Sequence, residues 1–144
     1  MKKEVRVEIY QIQKKIKINE HFIEKKVKEI KKFISPPPEK IAIYFVSSRK
    51  IRELNRKFMN KNDFTDVLTF KYSKNYGEII ISVEECLKNS KIYSNTLEEE
   101  ILYVIIHGFL HLKGYRDYKE EEKKKMVEKQ NKIFRTIISR NEKK

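Results

Sequence analysis

The chain is poor in cysteine and in long apolar runs. Among 144 residues there is one cysteine, Cys86, which excludes an intramolecular disulfide and a zinc site built from cysteines, and favours a reducing compartment. The longest apolar run, 101–106, is far too short to cross a bilayer, and no run of signal-peptide length follows Lys2 and Lys3. With no linker or internal repeat, we expect a single cytoplasmic domain over residues 1–144 without a membrane association.

Acidic residues are outnumbered by basic ones. The chain has 21 Asp and Glu against 34 Lys and Arg, which gives a formal net charge of +13. Such an excess attracts an anionic partner through counterion release, and nucleic acid is the first expectation. A lysine-rich solvated surface is the alternative, because basic charge alone is a weak signal.

Two of the three histidines, His107 and His111, lie four residues apart in the most apolar stretch of the chain. Positions i and i+4 of a helix project from nearly the same face, so two imidazoles there can bind one metal ion. Thr96 with Glu99 predicts a capping box at the start of this helix, and Gly114 predicts a left-handed end. The alternative is that both histidines are polar residues at the edge of a core helix.

A third ligand is needed, and Asp117 is the candidate. Gly114 ends the helix three residues earlier, which leaves enough chain for the carboxylate to curl back and complete a His-His-Asp set with an open fourth position. The competing interpretation is that Asp117 and Glu120 form a capping box for the next helix. His21 lies in an N-terminal amphipathic helix and is a poorer candidate.

Gly108 follows the first histidine directly. A glycine inside a helix costs about 1 kcal/mol relative to alanine, so it indicates the close approach of a backbone or a ligand. Zinc proteases of the His-Glu-x-x-His type carry their general base at this position, and here no carboxylate is present. Protease chemistry of that type is therefore disfavoured.

Hydrophobic periodicity predicts an α+β fold, a small mixed β-sheet with helices packed on it and the metal site on a central helix. Strands are expected at Val5, Val7 and Ile9, at 41–46, and at 65–72 and 78–82, the last two joined as a hairpin through a turn at 75–77. Five helices are expected. The first runs through Ile23 to Ile34 and stops at Pro36, Pro37 and Pro38, and the second has Ile51, Leu54 and Phe58 on its inner face. The third starts at a Ser82–Glu85 capping box, the fourth carries the histidines, and the fifth spans 118–139 with these residues at core spacing: Met126, Val127, Ile133, Phe134 and Ile137.

Three sequence blocks in order, 54–70, 77–82 and 107–117, resemble the YbeY family of bacterial endoribonucleases and ribosomal RNA maturation factors. The resemblance spans about residues 40–120 and implies the α+β fold of that family with one zinc ion between the histidine helix and the sheet. It also implies metal-dependent cleavage of single-stranded RNA, in maturation of ribosomal RNA of the small ribosomal subunit and in ribosome quality control.

His107 and His111 match the first two ligands of that family, whereas Asp117 stands where the family usually has a third histidine. The added negative charge should make the ion a weaker Lewis acid and its bound water less acidic. Met59 stands where an arginine is usual and Phe64 where a proline is usual. Basic residues close by could replace the arginine toward RNA phosphates: Arg56, Lys57 and Lys61.

For catalysis we expect the bound ion to lower the pKa of a water molecule and to polarise a phosphoryl oxygen. Asp66 is the candidate proton-handling carboxylate, with a turn cap as its alternative role. A non-catalytic RNA-binding assembly factor with a structural metal is the main alternative function, favoured by the loss of the arginine and of the third histidine. A metallohydrolase acting on a substrate other than RNA is a further alternative, which the basic charge disfavours.

Overall fold

The computed structural model describes residues 5–34, 39–62 and 65–142. These residues form four strands and five helices. In chain order the elements are β1 (Arg6–Gln11), α1 (Glu20–Phe33), β2 (Lys40–Val46), α2 (Ser48–Met59), β3 (Val67–Lys71), β4 (Tyr76–Ser82), α3 (Val83–Ile92), α4 (Leu97–Lys113) and α5 (Glu120–Glu142).

The four strands form one mixed sheet in the order β1-β2-β4-β3. Strand β2 pairs in parallel with both β1 and β4, while β3 and β4 form the antiparallel hairpin. The predicted α+β class with a small mixed sheet is confirmed.

Strand alternation separates two apolar clusters, because successive side chains point to opposite faces of the sheet. On one face, fully buried residues of β2 and β4 such as Ile43 and Ile79 pack with α1, α4 and α5 in the main core. On the other face, Ile51 of α2 packs against Val46, Leu68 and Ile80. Most residues of α4 are buried, and the sheet together with helices α1, α3 and α5 positions the histidines that it carries.

Two residues expected in the core are exposed. Phe58 is 58% exposed because the last turn of α2 extends beyond the small outer cluster, and its ring meets the edge of Phe70 at 5.9 Å. Val127 is 37% exposed because its neighbour Met126 takes the core-facing position on that turn of α5.

Several boundaries also differ from those expected. Helix α1 ends at Phe33, before Pro36, Pro37 and Pro38, which lie outside the described residues, as does Phe64. Helix α5 begins at Glu120 and continues to Glu142. Within the described ranges, no helix combines the length and apolar character needed to cross a membrane.

Candidate metal centre and its cleft

Helix α4 has defined ends on both sides of the histidine pair. Thr96 accepts a hydrogen bond from the Glu99 N–H at 3.1 Å, and the Glu99 carboxylate accepts one from the Thr96 N–H at 2.8 Å, which confirms the capping box. Gly114 ends the helix with φ 118°, in the left-handed region, and its N–H bonds back to the carbonyls of Leu110 and His111. The chain can therefore reverse immediately after His111.

Gly108 lets α4 approach the sheet closely. A Cβ atom at this position would lie 2.7 Å from Cδ1 and 2.9 Å from Cγ1 of Ile79. The glycine therefore reflects close approach to a side chain of β4. His107, the residue before it, lines the same cleft as Asp66 and Val67 at the start of β3.

The two imidazoles direct the same ring nitrogen at each other. Nε2 of His107 and Nε2 of His111 are 3.0 Å apart, with the ring planes at 81°. His107 Nδ1 lies 3.2 Å from Gln130 Oε1, and His111 Nδ1 lies 3.0 Å from the carbonyl oxygen of Tyr115. The Gln130 amide is oriented by its own donation to the Tyr103 carbonyl at 3.0 Å.

These partners determine the tautomers. A carbonyl oxygen only accepts hydrogen bonds, so each Nδ1 carries the proton and each Nε2 presents a lone pair. A proton shared between the two Nε2 atoms would require an imidazolium. Burial first, and the neighbouring His111 second, lower the pKa of His107 and disfavour that cation. Two facing lone pairs at this distance suit a bound metal ion.

Asp117 completes a group of three candidate ligands. Its Oδ2 lies 3.5 Å from His111 Nε2, and one ligand atom from each of the three residues lies within 4.8 Å of the others. Ligand atoms around a tetrahedral zinc ion are about 3.3 Å apart, given Zn–N and Zn–O bonds of about 2.0–2.1 Å. The Nε2–Nε2 separation of 3.0 Å and the Nε2–Oδ2 separation of 3.5 Å are close to this value, so the donor set fits a tetrahedral divalent ion such as zinc. Helix α5 begins three residues after Asp117, later than the capping alternative expected.

Asp66 lies at the entrance to β3, close to the histidines. Burial raises the pKa of the Asp66 carboxyl, while His107 and backbone N–H groups of Asp66 and Val67 act in the opposite direction. The Asn89 amide lies 3.5 Å from Oδ2. Because burial prevails, this carboxyl accepts a proton more readily than an exposed aspartate does.

The three candidate ligands and Asp66 open onto a cleft of about 750 Å³. Of the three residues predicted to contact RNA, Lys61 lines this cleft. Arg56 instead lines a separate depression with Arg49 and Arg52, and Lys57 lies with its Nζ 5.4 Å from the centre of the Phe58 ring.

Two further basic residues line the cleft and were not predicted from the sequence, Lys71 and Arg116. Strand alternation from Val67 would have placed Lys71 on the face that meets α4, and Arg116 precedes the candidate ligand Asp117. Met59 also lines the cleft. Gln130 was missed because its position in α5 gives no local sequence signal.

Known proteins resemble this chain in sequence and in structure. Residues 6–138 match the family model described as Endoribonuclease YbeY. A protein of that name from Endomicrobium trichonymphae is 40% identical over 109 residues, 71% of this chain and 77% of that protein. Another from Thermotoga neapolitana is 44% identical over 91 residues, 62% of this chain and 61% of that protein. A solution structure of a Thermotoga maritima protein, 34% identical, gives a TM-score of 0.68 and covers 95% of this chain and 92% of its own.

Proposed function

Because the chain belongs to the endoribonuclease YbeY family, we propose that it is a zinc-dependent endoribonuclease acting on single-stranded RNA. We further propose, from the family resemblance, that it acts in the cytoplasm, as one domain over residues 1–144, in maturation of small-subunit ribosomal RNA and in ribosome quality control. The observation that carries the nuclease proposal is the convergence of two Nε2 lone pairs 3.0 Å apart in a cleft with basic walls.

His107, His111 and Asp117 would hold the ion. A zinc ion in such a set supplies Lewis-acid polarisation and makes water more acidic and more nucleophilic near neutral pH. The carboxylate of Asp117 adds a negative charge to the site, so this effect should be weaker than with three imidazoles. Gln130 and the Tyr115 carbonyl hold the imidazoles in the orientation that binding requires.

The other residues of the cleft have separate roles in this proposal. Lys61, Lys71 and Arg116 attract the phosphates of the strand, in keeping with the overall charge of +13. Asp66 takes a proton from the attacking water or ribose hydroxyl, a role that suits a partly buried carboxyl with a raised pKa.

One observation favours a second candidate function. Met59 lines the cleft where the family usually has an arginine, which removes a cation that would contact a phosphate. A protein that binds ribosomal RNA without cutting it, with a metal that stabilises α4 and the segment after it, would tolerate this change.

The test combines metal content with RNA cleavage. Zinc would be measured in the purified wild type, in His111→Ala and in Asp117→Ala, and each would be incubated with single-stranded ribosomal RNA fragments. We expect one zinc per wild-type chain, with metal and cleavage lost in His111→Ala and strongly reduced in Asp117→Ala. Retention of zinc and cleavage by Asp117→Ala would contradict its role as a ligand. RNA bound but uncut by a zinc-loaded wild type would favour the second function.

A further inference from the structure

A second cavity of about 500 Å³ lies beside the cleft, between α3, α4 and α5. It shares Asp66, Val67 and His107 with the cleft, so the two are continuous around the histidine site. Besides valines and Gln130, its wall includes asparagine amides, aromatic rings and one further carboxyl: Asn89, Asn95, Glu100, Tyr103, Asn131 and Phe134.

The lining of this cavity contrasts with the rest of the protein. Among the described residues, no lysine or arginine lines it, although the chain carries 34 of them, whereas three basic residues line the adjoining cleft. Glu100 and Asp66 instead bring two carboxyls to its wall. With two carboxyls and no lysine or arginine among the described residues of its wall, the cavity suits an uncharged polar group better than a phosphate.

The amides are held by specific partners. The Tyr103 hydroxyl donates to Asn131 Oδ1 at 2.6 Å, so the Asn131 NH₂ group is the side that remains for a ligand. The Asn95 NH₂ group donates to Glu100 Oε1 at 3.2 Å, which leaves the Asn95 carbonyl as an acceptor and the second Glu100 oxygen for another contact. Glu100 is only 3% exposed, so its position is fixed by the surrounding helices.

Aromatic rings line the same cavity. Tyr103 and Phe134 meet edge to face with ring centres 5.2 Å apart. Tyr93 is 66% exposed and also belongs to the cavity wall. Donor and acceptor groups beside aromatic rings are the features by which proteins bind the edge and face of an unstacked nucleobase.

We propose that this cavity binds one nucleobase of the RNA strand whose phosphate lies in the histidine cleft. The inference rests on the proposed nuclease function and gives it a specificity subsite. Glu100, Tyr103 and His107 follow one another at positions i, i+3 and i+7 of α4, so about 10 Å of helix separates the buried carboxyl from the candidate ligand. Neighbouring nucleotides of one strand can span that distance.

The first experiment measures binding without catalysis. The four nucleoside 5′-monophosphates would be titrated into the full-length protein while the NMR resonances of the asparagine side-chain amides are followed. We expect saturable shifts of the Asn95 and Asn131 amides with at least one nucleotide, and no such shifts with ribose 5-phosphate, which lacks a base. Asn131→Ala should weaken this binding on the order of tenfold. The control is Asn75→Ala, at an exposed turn outside both cavities.

The second experiment uses cleavage. A pool of single-stranded oligoribonucleotides of random sequence would be digested and the ends of the products sequenced. We expect a base preference at one position near the cut that Asn131→Ala reduces by about tenfold and Asn75→Ala preserves. Tyr103→Phe keeps the ring and removes only the hydroxyl that orients Asn131, so it should reduce the same preference even if Asn131→Ala folds poorly.

The outcomes separate the two proposals. Nucleotides that shift the cavity amides of a protein unable to cut RNA would support the subsite and refute the nuclease. Cleavage with a preference unchanged in both cavity variants, or equal shifts from ribose 5-phosphate and nucleotides, would refute the subsite and leave the nuclease standing.

Discussion

Replacing Gly108 by alanine tests whether α4 is held at its present distance from the sheet. The added Cβ would lie 2.7, 2.9 and 3.0 Å from Cδ1, Cγ1 and Cγ2 of Ile79, well inside the usual carbon–carbon contact of about 3.5–4.0 Å. Three atoms of one β-branched side chain are involved, and Ile79 is fully buried, so the clash cannot be relieved by moving one flexible end.

Two opposing effects determine how much Gly108→Ala changes the free energy of unfolding. Overpacking a core costs about 1–3 kcal/mol, while alanine in place of glycine in a helix contributes about 1 kcal/mol. We expect Gly108→Ala to lower the free energy of unfolding by about 1 kcal/mol. Ile79→Ala alone should cost about 2–5 kcal/mol because it leaves a cavity. The double variant should be more stable than the sum of the single changes predicts, by about 1–2 kcal/mol.

The assay is urea unfolding of the wild type, both single variants and the double variant, followed by circular dichroism. Gly114→Ala serves as the control, because its Cβ would meet no atom within 4 Å and its cost arises only from the backbone φ of 118°. That cost should be the same with and without Ile79→Ala. An increase in stability in Gly108→Ala, together with additive effects in the double variant, would refute the close-approach argument.

Three further predictions concern the candidate metal centre. Gln130→Leu removes the acceptor for His107 Nδ1 and should weaken zinc affinity about 10- to 100-fold, measured by a competition titration. Unchanged affinity would refute the role of Gln130 in orienting His107. Asp66→Asn should raise the free energy of unfolding at neutral pH, because burial raises the pKa of the Asp66 carboxyl and its ionised form destabilises the fold above that pKa. The same variant should cleave RNA about 10²- to 10⁴-fold more slowly, and undiminished cleavage would exclude Asp66 from proton transfer. In protein treated with a chelator, burial lowers the pKa of His107 below its model-peptide value of 6.5. The unfolded state therefore binds the proton more tightly than the folded state, and the free energy of unfolding should decrease as the pH falls below about 6.5. His107→Gln should flatten that decrease in pH-dependent unfolding, and an identical profile in the variant would contradict the assignment.

The elements that depend on local sequence were predictable. Thr96, Glu99 and Gly114 define both ends of α4 through hydrogen bonds within a few residues, so their pattern was sufficient to place the histidines on one helix face. The sheet class also followed from alternation and from the short connection between β3 and β4.

Features that depend on distant contacts were not predictable from the sequence. The spacing of the residues could not decide whether Asp117 caps α5 or serves as a metal ligand. That decision depends on the path of the chain after Gly114 and on where α5 begins. Phe58 has helical core spacing, but its exposure depends on how far the sheet extends beneath α2. Gln130 reaches His107 across 23 residues, a contact that only the packing of α5 on α4 creates.

The contact between Gln130 and His107 ties the folding of the C-terminal helix to the occupancy of the histidine site. An ion that binds only when His107 is correctly oriented would stabilise the state in which α5 is docked. The stabilisation grows with the logarithm of the ratio of the free ion concentration to its dissociation constant. Opening of α5 would then remove the Gln130 contact and weaken ion binding by about the 10- to 100-fold expected for Gln130→Leu. Under zinc scarcity, amide hydrogen exchange in α5 would accelerate before that of the sheet, and proteases would first attack this helix. For a protein that holds zinc as proposed, the supply of metal would thus affect how readily α5 opens as well as the proposed activity.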